Sequence, residues 1–146
     1  MTHAILLSIH PKWAQKIYSG EKTVEWRKTY PKIISEDTKV YLYETAPIKK
    51  VTGYIFLKFN SFESANYPFT RINFYDSDSK YLMIDNLERM GCVPIEHLKK
   101  YLNTSNGYGW RIAESKKFME PKTLADFGLK RAPQSWQYVE VNNEKI

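Results

Sequence analysis

Apolar and polar positions along the chain follow two periods, and their order predicts the elements. Ala4 to Ile9 is a short apolar run interrupted only by Ser8, and it predicts a short buried strand. His10-Pro11 follows and predicts a helix start, because proline at the first helical position lacks only a donor that has no partner there. Trp13, Ala14, Ile17 and Tyr18 fall at i, i+1, i+4 and i+5, one apolar stripe with Lys12, Gln15, Lys16 and Ser19 opposite. Gly20 stops that helix, as a left-handed cap requires. Residues 22–28, 39–45 and 50–59 carry the β-branched and aromatic content of strands. The stretch 61–79 is turn-rich and predicts a loop or insertion, with Asp76-Ser77-Asp78-Ser79 as a cap for the next helix. Met83, Ile84, Leu87 and Met90 are spaced for that helix, ending at Gly91, and Pro94 opens another that buries Ile95, Leu98, Tyr101 and Leu102. Strands over 108–119 and 136–141 complete the chain, separated by a turn or short helix over 122–127. The class predicted is α+β, a mixed sheet or small closed barrel with peripheral helices.

Composition narrows the setting. At 146 residues with no internal repeat, residues 1–146 are expected to form one domain with one core. Hydrophobic residues make up 42% and aromatics 15%, enough to exclude a disordered chain. Cys92 is the single cysteine, which excludes an internal disulfide and a cysteine-based zinc set and fits a reducing, cytoplasmic setting. The apolar run near the N-terminus is too short for a signal-peptide core or a membrane span, so no membrane association is expected. The formal charge is +6, with basic pairs at Lys49-Lys50, Lys99-Lys100, Lys116-Lys117 and Lys130-Arg131. Such a balance favours anionic partners, nucleic acid among them, and equally fits a solvated basic surface.

Familiar catalytic machinery is missing. His3, His10 and His97 are widely separated with no cysteine beside them, so neither a metal nor another cofactor is expected. No Gly-x-Ser-x-Gly elbow or glycine-rich phosphate loop occurs. The richest local chemistry is the junction Gly20-Glu21-Lys22-Thr23-Val24-Glu25-Trp26-Arg27. There Thr23, Glu25 and Arg27 alternate onto one strand face, about 7 Å between successive members. Arg27 can fork onto phosphate or a base edge, Glu25 can accept from an exocyclic amine, and Lys22 adds a compact cation. The same residues also describe a surface strand with an ordinary Glu–Arg pair. Aromatics divide similarly: Tyr41, Tyr43, Tyr54, Phe56, Trp110, Trp136 and Tyr138 are either stacking platforms or core. Trp110 is the better ligand candidate, because Gly107 and Gly109 beside it permit close approach.

The stretch Leu7-Ser8-Ile9-His10-Pro11-Lys12-Trp13-Ala14, followed by Ile17 to Lys28 with its Gly-x-Lys-x-x-Glu-x-Arg-like run, resembles the opening of ASCH domains of the single-domain bacterial, archaeal and phage type. Later blocks at Val40–Pro47, Val51–Tyr54, Gly109–Ile112 and Ala132–Trp136 resemble the same family, whereas 61–90 does not. The resemblance implies a PUA-like small mixed β-barrel that binds RNA in transcription- or translation-linked roles. Some relatives are amidohydrolases of acetylcytidine or ribonucleases. Of the lysine and the threonine three residues later that the amidohydrolases use, Lys22 matches the first, while Glu25 stands where the threonine would be. On this basis the ligand cleft is expected to involve Ser8, His10 and Lys12 from the first block and Lys22, Glu25 and Arg27 from the motif. Tyr43, Thr45, Trp110, Gln134 and Ser135 are expected from the later blocks. RNA or a modified nucleoside or nucleotide is the implied ligand; in an enzyme, Lys22 and Glu25 would be the acid–base pair. A protein adaptor using the helices at 80–102 is the remaining alternative.

Overall fold

The computed structural model describes residues 1–59, 68–75 and 84–142. The apolar N-terminal run becomes β1 (Thr2–Ile9), a strand covered on both faces. Period-two alternation sends Ile5, Leu7 and Ile9 into one core, and Ala4 and Leu6 into another. α1 (Pro11–Tyr18) comes next with Pro11 in its first turn, and Gly20 at φ +85° ends it, as the sequence predicts. Its apolar stripe places Ala14 and Ile17 in the first core.

Four strands come after α1: β2 (Val24–Arg27), β3 (Val40–Glu44), β4 (Lys50–Leu57) and β5 (Phe69–Ile72). Two helices are next, α2 (Ile84–Gly91) and α3 (Ile95–Leu102). The chain then runs through β6 (Gly107–Lys122), a 3-10 turn at Leu124–Phe127, and β7 (Trp136–Val141). β1 lies parallel to β3 and antiparallel to β7; every other pairing is antiparallel. The strand order is β2-β6-β4-β3-β1-β7, with β5 also on β6. β6 organises one side of the sheet: its first residues pair with β2 and β5, and the rest runs along β4. A third cluster joins Val24 and Trp26 of β2 to Ile72, Leu98 and Leu102, which docks α3 on the sheet.

The α+β, PUA-like architecture is present, with two departures from the predicted details. The sheet does not close into a barrel: β2 and β7 end the strand path unpaired with each other. Hydrogen bonds of the Arg27 side chain, rather than a ladder, span the gap between them. Ser135 O accepts from Ser8 N–H at 2.9 Å, and Ser8 O accepts from the Arg27 guanidinium at 2.7 Å, so a side chain bridges the seam. The second departure is β5, which lies inside the stretch predicted as loop. Its apolar pair, Phe69 and Ile72, is legible only beside its partner residues Trp110 and Gly107. Residues 61–67, the Asp76–Ser79 cap and Met83 lie outside the described residues. Among the described residues, no helix is long and apolar enough to cross a membrane.

Candidate functional site

The end of β1, the start of α1, β2 and α3 converge on one cleft of about 420 Å³. His10 caps α1: its Nδ1 accepts from the Lys12 backbone N–H at 3.2 Å. In the neutral ring this leaves the proton on Nε2 as a donor. Ser8 Oγ donates to Pro133 O at 2.7 Å, which ties the end of β1 to the loop before β7.

Behind this cleft lies a buried charge cluster. Lys22 leaves the end of α1 with its backbone N–H on Lys16 O at 2.9 Å, and its side chain turns inward to 0% exposure. Its Nζ donates to Gly91 O at the end of α2 and stands 3.1 Å from Glu25 Oε1. Arg27 takes the other carboxylate oxygen, with Nη2 at 2.7 Å and Nε at 3.1 Å from Oε2. The guanidinium also donates to Ser8 O and, at 3.2 Å, to Ser135 Oγ. Burial alone would push the Glu25 carboxyl up, but the Arg27 and Lys22 cations and their hydrogen bonds outweigh it and hold Glu25 below the usual carboxylate range. Thr23 is exposed just before β2, whereas Glu25 is buried and Arg27 half-buried; the Glu–Arg pair is thus not an exposed surface pair but the inner wall of a pocket.

The indole of Trp26 closes the same wall. A Cβ at Gly91 would come within 2.8 Å of Trp26 Nε1, so α2 ends where only glycine fits. Among the described residues that indole N–H finds no acceptor. Gly91→Ala is expected to destabilise the fold by about 1–3 kcal/mol through overpacking, measured by urea unfolding; no change would show that the indole shifts freely.

Of the residues expected from the sequence, Ser8, His10, Glu25, Arg27, Thr45 and Gln134 line the cleft. Ser135 does not line it but bonds to two residues that do, Ser8 and Arg27, and Lys12 stands at its edge with Nζ 4.9 Å from the Trp13 ring centroid. Three expectations need correction. Lys22 lies behind the pocket, since its charge needs a buried acceptor and a carboxylate rather than solvent. Tyr43 packs in the second core, because β3 is covered on both faces and alternation turns Tyr41 and Tyr43 away from α1. Trp110 is fully buried, and the glycines beside it admit side chains of the protein itself: Leu102 at Gly107, and Val24 and Trp26 at Gly109.

The sequence pattern does not point to Trp13, Trp26 or the α3 wall made by His97, Leu98 and Tyr101, all of which line the cleft. Lys28 Nζ lies 5.1 Å from the Tyr101 ring centroid, so a cation stands against an aromatic wall on this side as well. His10 and His97, far apart in sequence, line one cleft. The apolar spacing of α3 carries part of this signal, because Leu98 points inward and places His97 and Tyr101 beside the same face. No group of three or more metal-ligating side chains occurs among the described residues.

Comparison with known proteins agrees with this architecture. The crystal structure of the ASCH protein of Zymomonas mobilis superposes with a TM-score of 0.70 at 19% identity, covering 97% of this chain and 90% of that one. A single-substitution variant of that protein superposes equally well at 18% identity, covering 97% and 92%. In sequence, 53 residues are 36% identical to an ASCH domain-containing ribonuclease of Zymomonas mobilis, spanning 36% of this chain and 35% of that protein. A further 27% identity over 135 residues links the chain to a protein of Ureaplasma parvum named ATP synthase subunit alpha, covering 92% of this chain and only 15% of that protein. The ASCH domain family profile matches residues 7–100, which contain β1 from Leu7 onward, α1, the Lys22–Arg27 motif and most of α3. With the cleft lying largely inside that span, the chain belongs to the ASCH domain family.

Proposed function

We propose that the cleft binds one unstacked base of RNA, or a related nucleotide, and that the motif residues hold the cleft while other side chains read the ligand. The observation that carries this is the division of hydrogen-bonding groups. Lys22, Glu25 and Arg27 direct their hydrogen bonds to one another, to backbone carbonyls and to Ser135 Oγ. Thr45, His97, Tyr101 and Gln134 line the same cleft with side chains that make no hydrogen bond among the described residues. Together with the His10 Nε2–H, these groups come from four separate segments. Between them stands the half-buried Trp13, an aromatic side chain on which a base can stack. The volume suits one nucleotide-sized ligand rather than a duplex. The Zymomonas relative named as an ASCH ribonuclease supports RNA as the ligand class.

Titration with ribonucleotides and short single-stranded RNAs tests this. Thr45→Val and Gln134→Ala are each expected to weaken binding by about 0.5–1.5 kcal/mol, the net value of one hydrogen bond, with the thermal midpoint unchanged. Undiminished affinity in the double variant would remove the proposal.

Strand cleavage is the second reading, favoured by the activity named for that relative. The geometry does not favour Lys22 and Glu25 as its acid–base pair, because each already has buried partners. The proton-handling side chains that line the cleft with capacity left are His10, His97 and Tyr101. RNA that remains intact after incubation with the protein, while still bound by it, leaves recognition as the function.

A further inference from the structure

The cleft opens beside a basic face that the fold assembles from distant parts of the chain. Lys12, at the cleft edge, precedes Lys16 by one helical step of four residues, about 6 Å along the axis of α1. Lys117 reaches the same helix from β6: its Nζ lies 3.3 Å from Gln15 Oε1 and 5.7 Å from the Tyr18 ring centroid. Lys50 stands opposite Glu44 in the β3–β4 ladder, and Glu44 accepts from Gln15 Nε2 at 3.2 Å. Two of the basic pairs seen in the sequence, Lys49-Lys50 and Lys116-Lys117, therefore each give a member to the surroundings of α1.

Among the described residues no carboxylate lies within ion-pair distance of Lys12, Lys50 or Lys117, although Asp126 feels the Lys50 charge and Glu44 acts on neighbouring Tyr18. Glu44 is buried beneath Gln15. Glu21 pairs with Lys16 at 3.2 Å, but both side chains are substantially exposed, and such pairs are weak. The face is continuous with the cleft through Trp13, which lines the cleft and carries Lys12 over its ring.

We infer that this face carries the phosphate backbone of the RNA strand whose base occupies the cleft, so that the strand runs from Lys12 along α1 toward Lys16, Lys50 and Lys117. The inference rests on the base-binding reading of the cleft and adds a direction and a length to it. Point cations on flexible stems suit phosphates and carry no sequence information. The track is therefore expected to add affinity without adding base preference.

The experiment is a binding titration of the full chain with a mononucleotide and with single-stranded RNAs of increasing length, each at several salt concentrations. Affinity is expected to rise with length and then level off. The triple variant K16Q/K50Q/K117Q is expected to lose that gain while keeping mononucleotide affinity. Its slope of log K against log salt should flatten by about 2, roughly 0.7 for each phosphate of a single strand that is no longer neutralised. The control K39Q/K116Q/K130Q removes the same charge elsewhere and should leave the slope nearly unchanged; an equal effect from it would reduce the track to non-specific net charge. Length-independent affinity overturns the track and leaves the cleft reading standing, whereas binding of neither mononucleotide nor RNA overturns both. Tight retention of polyglutamate in preference to RNA, abolished by the same triple variant, would reassign the face to an acidic protein partner.

Discussion

Glu25→Ala is expected to lower the unfolding free energy by about 3–5 kcal/mol, because it leaves a buried cation without its counter-charge. The Lys22 side chain is 0% exposed, and Glu25 is the carboxylate that meets both its ammonium and the Arg27 guanidinium. Gly91 O solvates one Lys22 proton but brings no charge. Loss of the carboxylate also frees Arg27, and with it the bridge to Ser8 O and Ser135 Oγ that spans the open seam between β2 and β7. Chemical unfolding of wild type and variant near neutral pH measures the effect, and a difference below about 0.5 kcal/mol, the size of an ordinary surface change, would sink it. Acid titration supplies an independent readout. The folded-state pKa of Glu25 is depressed, so its contribution is complete above the ordinary glutamate value of about 4.3 and is lost as pH falls through the lower folded value. Glu25→Gln should therefore show a shallower loss of stability on acidification below about pH 4 than the wild type.

How far the sequence can anticipate this depends on which interactions are local. Pro11 and Gly20 mark the limits of α1 because each acts on its own backbone. The alternation of Thr23, Glu25 and Arg27 is equally readable, and so is the place of β1 and β3 as strands. Whether that polar strand faces solvent is not. Its burial depends on Gly91 supplying a carbonyl to Lys22 across 69 residues, and on α3 arriving to form the opposite wall. The three histidines illustrate the same boundary, since their spacing excludes a local motif but says nothing of a cleft shared by His10 and His97. The open seam is equally tertiary: the Arg27 side chain, not a strand ladder, links the end of β2 to Ser8 and Ser135.

Trp110 separates local appearance from tertiary role most sharply, and Trp110→Ala is expected to cost about 3–5 kcal/mol of stability. The residue is 0% exposed and lies in β6 between Glu25 of β2 and Phe69 of β5. Its ring meets Phe69 edge-on at 5.7 Å and Trp136 at 5.9 Å, while Nε1 donates to Thr29 O at 3.2 Å. Collapse into the space left by alanine would have to move three paired strands at once. A surface stacking platform behaves in the opposite way: its loss leaves the fold intact and weakens ligand binding by about 1–3 kcal/mol per base. Trp110→Phe distinguishes the two, because it retains most of the buried ring but removes the donor to Thr29 O, at an expected cost of about 1–3 kcal/mol for the unpaired carbonyl. With the ring in the core, Trp110→Phe should unfold at lower denaturant and bind nucleotide as tightly as wild type wherever it is folded. Full stability with weakened binding would instead restore Trp110 to the ligand surface and require β6 to present it to the cleft.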